Sequence, residues 1–278
     1  MSTLSMLRAM NREDASVAGA VRRALPAIAR AVDAAASALR DGGRLFYVGA
    51  GTSGRLAALD AAECPPTFGT SPNMVQAVLA GGRRALTGAV EGAEDSARNG
   101  ARDIARRGVS RGDVVAGIAA SGETPYVLGA IEFAKRRGAI TIGVTSNRNS
   151  TLGRRARIAI VVETGPEAVS GSTRLKAGTA QKMVLNLLST ATMARLGRVY
   201  DNWMVGVALT NRKLQARGLR ILSEASGAGV SQAGQALRQS RHDLRVALMM
   251  LKAGVDAAEA RRRLTRARGE LRRALDEK

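Results

Sequence analysis

The sequence holds one cysteine, Cys64, and one histidine, His242, in 278 residues. An internal disulfide is thereby excluded, and a Cys/His zinc site has too few ligands. Aromatic residues make up 3% of the chain, so a core must be built from Ala, Val, Leu, Ile and Met, and a base-stacking platform for nucleic acid is missing. Long apolar runs are also missing. A stretch such as "IAIVV" at 158–162 falls far short of the roughly 20 residues that span a bilayer, and the N-terminus has no apolar signal-peptide core. The expectation is a soluble, cytoplasmic protein with no membrane contact. Acidic residues are scarce, 23 against 43 Lys and Arg, for a net charge of +20. Such an excess attracts nucleic acid, an anionic surface or an anionic substrate. The arginines are scattered over helix faces and gathered in "RRRLTRARGELRR" (261–273), which reads as a solvated basic surface rather than a nucleic-acid site.

What is present suits one large domain, or one domain with a small appendage, and the 45% hydrophobic content is that of a globular chain. Residues 3–40 have helical spacing, with Leu25, Ile28, Val32, Ala36 and Leu39 on one face and Pro26 placed to start a new helix. Gly42-Gly43 ends that segment. Five short apolar runs follow, at 44–48, 74–80, 113–120, 139–145 and 157–162. Each is nearly continuous rather than alternating, as strands covered on both faces are. Helical segments are expected between them, at 53–62, 83–91, 95–107 and 125–137. This alternation predicts an α/β fold, a parallel sheet with helices on both faces. Beyond 165 no strand is expected; long helices are read at 172–197 and 210–226, and three short amphipathic ones in 230–276. The implied division is N-terminal helices over 1–42, a sheet domain over 43–226 and a small helical module over 227–278.

Ligands of such sheets gather beyond the carboxyl ends of the strands. Two loops there share a chemistry, "GAGTSGR" (49–55) and "SGETPY" (121–126). Each brings Gly with Ser or Thr to a helix N-terminus, where free amides and the helix dipole favour a phosphate. Gly49, Gly51 and Gly54 also match the spacing of a dinucleotide fingerprint. That fingerprint needs an acid ending the second strand, and the second strand here ends in Gly81-Gly82. Carboxylates near the loops are Glu63, the group Glu91, Glu94 and Asp95, and Glu167. Glu63 stands beside Cys64, Pro65, Pro66 and Phe68, a setting that would desolvate it and raise its pKa towards general acid/base use. Asp95 is also placed to cap the following helix. Cys64 has no histidine near it and reads as a packed thiol, and the two prolines as a helix stop.

Together "GRLFYVGAGTSGRLAALDAAECPPTFG", "AVEGAEDS", "AASGETPYVLGAIEFAK", "GPEAVSGSTRLKAGTAQKMVLN" and "VYDNWMV" closely resemble the N-acetylmuramic acid 6-phosphate etherases, which carry a sugar isomerase (SIS) domain. The resemblance implies an SIS-type sheet with a C-terminal three-helix, ubiquitin-associated-like module. It implies a cytoplasmic homodimer that needs no cofactor or metal. The activity implied is cleavage of the D-lactyl ether of N-acetylmuramic acid 6-phosphate, giving N-acetylglucosamine 6-phosphate and D-lactate. By the family pattern Glu63 is the acid/base at the ether oxygen and Glu94 the second catalytic carboxylate. Ser53, Ser121 and Thr124 hold the 6-phosphate with Thr52 and Gly122 close by. Arg174, Lys176 and Lys213 reach phosphate or lactate carboxylate, and Glu167 sits where related isomerases place a base. An SIS-domain sugar-phosphate regulator and a sugar-phosphate isomerase are the alternatives. Two departures stand out: the chain begins near the first family helix, without a short preceding segment, and the phosphate loop reads "SGETPY" where these etherases have "SGRTPY".

Overall fold

The computed structural model describes residues 1–209 and 211–276; residue 210, where the sequence reading starts a helix, and residues 277–278 at the end of the tail module lie outside the described residues. The chain forms two compact units, Met1–Ala62 with Asn73–Ser189, and Glu63–Pro72 with Thr190–Lys278.

The first unit opens with α1 (Thr3–Ala15) and α2 (Val17–Arg40). The break falls at Ser16, whose hydroxyl donates to the Glu13 carbonyl at 2.7 Å, a local bond that competes with helix continuation. Pro26 does not start a helix; it lies inside α2. The amide it lacks would have met the Arg22 carbonyl, and both residues are exposed, so water can replace that bond. Then come β1 (Leu45–Gly49), α3 (Gly51–Phe68), β2 (Val75–Leu79), α4 (Ala97–Ala105), β3 (Val114–Ile118), α5 (Pro125–Arg136), β4 (Ile140–Thr145), α6 (Thr151–Arg155), β5 (Ile158–Val161) and α7 (Lys176–Arg195). All pairings are parallel, in the order β2-β1-β3-β4-β5. Alternate residues face opposite layers. Phe46, Val48 and Val115 share a cluster with Ile104 of α4, Val127, Ala130 and Ile131 of α5 and Leu152 of α6. On the other face the Tyr47 hydroxyl donates to Asp60 of α3 at 3.1 Å, and α2 packs against β3 and β5.

Four local expectations need correction. Pro65 and Pro66 do not stop α3, which runs on to Phe68; the stop is Gly69 at φ 61°, where a Cβ would come within 2.1 Å of the Gly206 carbonyl oxygen. The helix expected at 83–91 is a short 3-10 turn, Gly82–Leu86. Gly81, Gly82 and Gly92 have positive φ, and the Ala85 and Gly88 carbonyls accept from Arg55 at 2.9 and 2.8 Å instead of from helical amides. Asp95 does not cap α4; Ser96 does, accepting from the Asn99 amide at 3.2 Å. The five-residue α6 was not expected at all.

The second unit contains the ribbon β6 (Val199–Tyr200) and β7 (Trp203–Met204), antiparallel, where no strand was expected. Two residues per strand are too few for a period-2 signal, and the turn depends on Asp201 at φ 50°. α8 (Arg212–Ser226) follows, and the tail holds α9 (Val230–Gln239), α10 (Leu244–Ala253), α11 (Ala257–Arg266) and α12 (Leu271–Asp276). The tail thus has four helices among the described residues, not three: Arg268 and Gly269, both at positive φ, separate α12 from α11. Val205, Val207, Ile221 and Leu222 share one apolar cluster with Ala233, Leu237, Leu248, Leu264 and Leu271. By packing, the tail continues the segment before it rather than starting afresh at 227.

Candidate active site

The strand order reverses between β1 and β3, and the helices after these two strands lie on opposite faces of the sheet. Their loops therefore part at a switch point, the usual position of a ligand crevice in an open parallel sheet. The β1 loop leads straight into α3 through Gly51 at φ 52°, with Thr52 and Ser53 in the first helical turn. The glycine spacing there has a packing cause. A Cβ on Gly54 would come within 2.1 Å of Leu79 Cδ1 and 2.8 Å of the Gly49 carbonyl oxygen, so only glycine lets α3 start this close to β1 and β2.

The β3 loop turns at Gly122, φ 70°, where a Cβ would lie 2.3 Å from Ser150 Cβ. Ser121 Oγ accepts from the Glu123 amide at 3.1 Å. Thr124 precedes α5 and its side chain makes no capping bond, which leaves that hydroxyl available beside the first-turn amides. Glu123, the departure from the family loop, accepts from the Thr151 amide at 2.7 Å. That bond, aided by Arg154 and Arg155, holds its carboxyl below the usual range.

A cavity of about 340 Å³ is lined by Gly51, Thr52 and Arg55 from the first loop and helix and by Glu91, Glu94 and Asp95. Thr52 and Glu94 are thereby brought together. The Glu94 carbonyl also accepts from the Tyr126 amide at 3.0 Å, which fixes the Glu94 backbone to the first turn of α5. Gly100 and Gly129 allow this: a Cβ on either would collide with the Tyr126 or Ala97 backbone. Arg55, which lines this cavity, is a residue the sequence did not single out. It was visible as the end of "GAGTSGR", but its role in gripping the 85–88 segment depends on a partner 30 residues away.

The third group surrounds the start of α7. Glu167 accepts from the Lys176 and Ala177 amides at 2.9 and 3.0 Å, so both its oxygens cap the helix. Lys176 is 3% exposed and its Nζ lies 2.5 Å from Glu13 Oε2, a contact that holds the Glu13 carboxyl below the usual range. A Cβ on Gly178 would lie 3.5 Å from Thr52 Cγ2, which places the first turn of α7 beside the first loop. Arg174 is exposed just before that turn.

Glu63, in α3, and Lys213, in the first turn of α8, belong to the second unit. Glu63 is exposed, so the desolvated setting expected from its neighbours does not arise in this chain: Cys64, 1% exposed, and Phe68 turn to the interior instead.

A family model of the glucokinase regulatory protein N-terminal SIS domain matches residues 27–135, and one of the SIS domain matches 101–191. The N-acetylmuramic acid 6-phosphate etherase of Geobacillus thermodenitrificans is 50% identical over 276 residues, covering 99% of this chain and 94% of its own. That of Serratia proteamaculans is 52% identical over 275 residues, covering 99% and 93%. Among solved structures, a putative phosphosugar isomerase involved in capsule formation from Bacteroides fragilis aligns with TM-score 0.54 at 18% identity, over 72% of this chain and 95% of its own. The phosphoheptose isomerase of Neisseria gonorrhoeae aligns with TM-score 0.52 at 14% identity, over 69% and 98%. At such identities the two structures speak to the fold alone.

Proposed function

The chain belongs to the N-acetylmuramic acid 6-phosphate etherase family, and from that membership we infer how its residues divide the reaction. The protein is a carbon–oxygen lyase that releases D-lactate from N-acetylmuramic acid 6-phosphate and leaves N-acetylglucosamine 6-phosphate. The observation that carries this reading is identity of about half over nearly the whole length of both chains. A regulatory reading finds support in the match to the regulatory-protein SIS domain, but that match stops at residue 135.

In the open-chain sugar the aldehyde acidifies the C2 proton. Glu94, exposed at the cavity it shares with Thr52, takes that proton. The C3–O bond breaks, and Glu63 protonates the departing lactate oxygen. Water then adds at C3, giving its proton to Glu63, while C2 regains one from Glu94. The 6-phosphate is held by Thr52, Ser53, Ser121, Gly122 and Thr124, where helix-terminal amides and hydroxyls favour an anion. Arg174 and Lys213 serve the lactate carboxylate or the phosphate; Lys176, buried and paired with Glu13, instead ties α7 to α1, and Glu167 holds the turn that carries it. This order of bond breaking is tested with isotopes. In H2(18)O the label should enter the sugar at C3 and not the lactate, and in D2O deuterium should enter C2; label in the lactate would exclude elimination. Glu94→Gln should abolish both exchange and release.

We also place the working enzyme in the cytoplasm, where a charged sugar phosphate is retained, and as a homodimer. Cell fractionation tests the first. Leu4, Met6 and Leu7 of α1 and Leu25, Leu59 and Leu187 are exposed in the single chain, and α1 buries no residue; these are apolar side chains that a second copy would cover.

A further inference from the structure

A second cavity, of about 450 Å³, opens in the sheet-bearing unit at the β2 edge, and none of its lining residues lines the first. Its apolar lining includes Ala77, Val78 and Leu86. Its wall carries three arginines, Arg83, Arg106 and Arg107, against one acid, Asp103. Asp103 is already engaged: its carboxylate accepts from the Tyr126 hydroxyl at 2.9 Å and from Arg102 at 3.4 Å. Arg107 donates to a neutral group, Gln76 Oε1, at 3.0 Å. Among the described residues neither Arg83 nor Arg106 has a carboxylate partner. Three exposed arginines thus line one hollow, and a multiply charged anion bound there would be balanced by their charge. Their planar forks match phosphate oxygens two at a time, and the volume lies within the range of small-molecule sites.

We propose that this cavity is a second anion site, for a phosphate-bearing small molecule, and that its occupancy is felt in the first cavity. The link is the 3-10 turn Gly82–Leu86. Gly82, Arg83 and Leu86 line the second cavity, while Ala85 lines the first, where Arg55 holds its carbonyl. A ligand that draws Arg83 inward therefore acts on a turn whose residues face both cavities, which is the condition for coupling between two sites. Only the effect on turnover rests on the etherase reading.

Calorimetric titration of the intact protein with inorganic pyrophosphate at low salt should show two sites per chain. Arg83→Ala/Arg106→Ala should weaken one of them by at least about tenfold and keep the other. A control pair, Arg136→Ala/Arg137→Ala at the exposed end of α5, should keep both. A single site in the intact protein, or equal weakening in the two variants, overturns the proposal. At saturating substrate, pyrophosphate should change kcat of the intact protein and not of Arg83→Ala/Arg106→Ala, whose turnover without pyrophosphate is unchanged. The same kcat response in both overturns the coupling. Absence of lactate release from the intact protein would defeat the etherase reading and leave the two-site titration standing.

Discussion

Single atoms decide where the first loop can go. Gly54 has no Cβ because one would meet Leu79 and the Gly49 backbone, and the phosphate-favouring start of α3 depends on that approach. Gly54→Ala should destabilise the protein by about 1–3 kcal/mol, the usual cost of overpacking a tight contact. Denaturant unfolding measures it, and a change below about 0.5 kcal/mol would contradict the packing argument. The glycine pattern was legible in the sequence, but its cause was not. The same letters that suggest a dinucleotide fingerprint are here a strand-to-helix contact, and only the neighbour Leu79 distinguishes the two. Glu123 teaches a similar lesson: beside a phosphate loop its charge looks adverse, yet it is turned to the Thr151 amide. Glu63 drew attention through apolar neighbours in sequence that, in a helix, point to a different side.

Among elements, two buried acids respond to pH with opposite signs: Asp60 joins a strand to two helices, and Asp113 joins the starts of β1 and β3. Asp60 accepts from Tyr47 of β1 at 3.1 Å and from Asn186 and Ser189 of α7 at 2.8 and 3.1 Å, which locks α3, β1 and α7 together. Burial is the largest influence on its carboxyl and raises its pKa, against the three hydrogen bonds. The stability it contributes is full below the unfolded-state value of roughly 3.9 and is lost as pH rises through the folded value. Asp113 is also pushed up by burial, but bonds from the Arg44 side chain and from the Ser110 and Arg44 amides outweigh this and its pKa is lowered. Its contribution is present above the unfolded value and lost as pH falls through the folded one. Relative to the intact protein, Asp60→Asn should cost most Tm near pH 4 and less towards neutrality, and Asp113→Asn should do the reverse. Melting curves from pH 3 to 8 decide it; the same trend in both variants would contradict the account.

The elements themselves were largely legible. All five strands of the main sheet were expected within a residue or two, because continuous apolar runs between glycines have few other uses. The failures came where a distant group overrode local preference. Arg55 unwinds the segment after β2, and Gly69, meeting Gly206, ends a helix that the prolines do not. Of the second cavity's arginines, Arg83 stands in a segment apart from Arg106-Arg107, and nothing in the sequence relates the two.

At the scale of the molecule, the +20 charge suits an enzyme whose substrate carries a phosphate and a carboxylate, since a positive field raises the encounter rate with anions. No helix among the described residues is long and apolar enough to cross a membrane. The apolar side chains left exposed on α1 and α2 predict self-association: light scattering should give twice the chain mass, and Leu4→Glu/Leu7→Glu should reduce it to the monomer. A monomeric intact protein would contradict that arrangement. The central claim is the lyase activity itself, and it is tested most directly by incubating the purified protein with N-acetylmuramic acid 6-phosphate and assaying D-lactate. The account predicts stoichiometric D-lactate from the intact protein, and from Glu63→Gln a folded protein that binds the substrate and releases none. Absence of lactate from an intact protein that binds the substrate, or full release by Glu63→Gln, would contradict it.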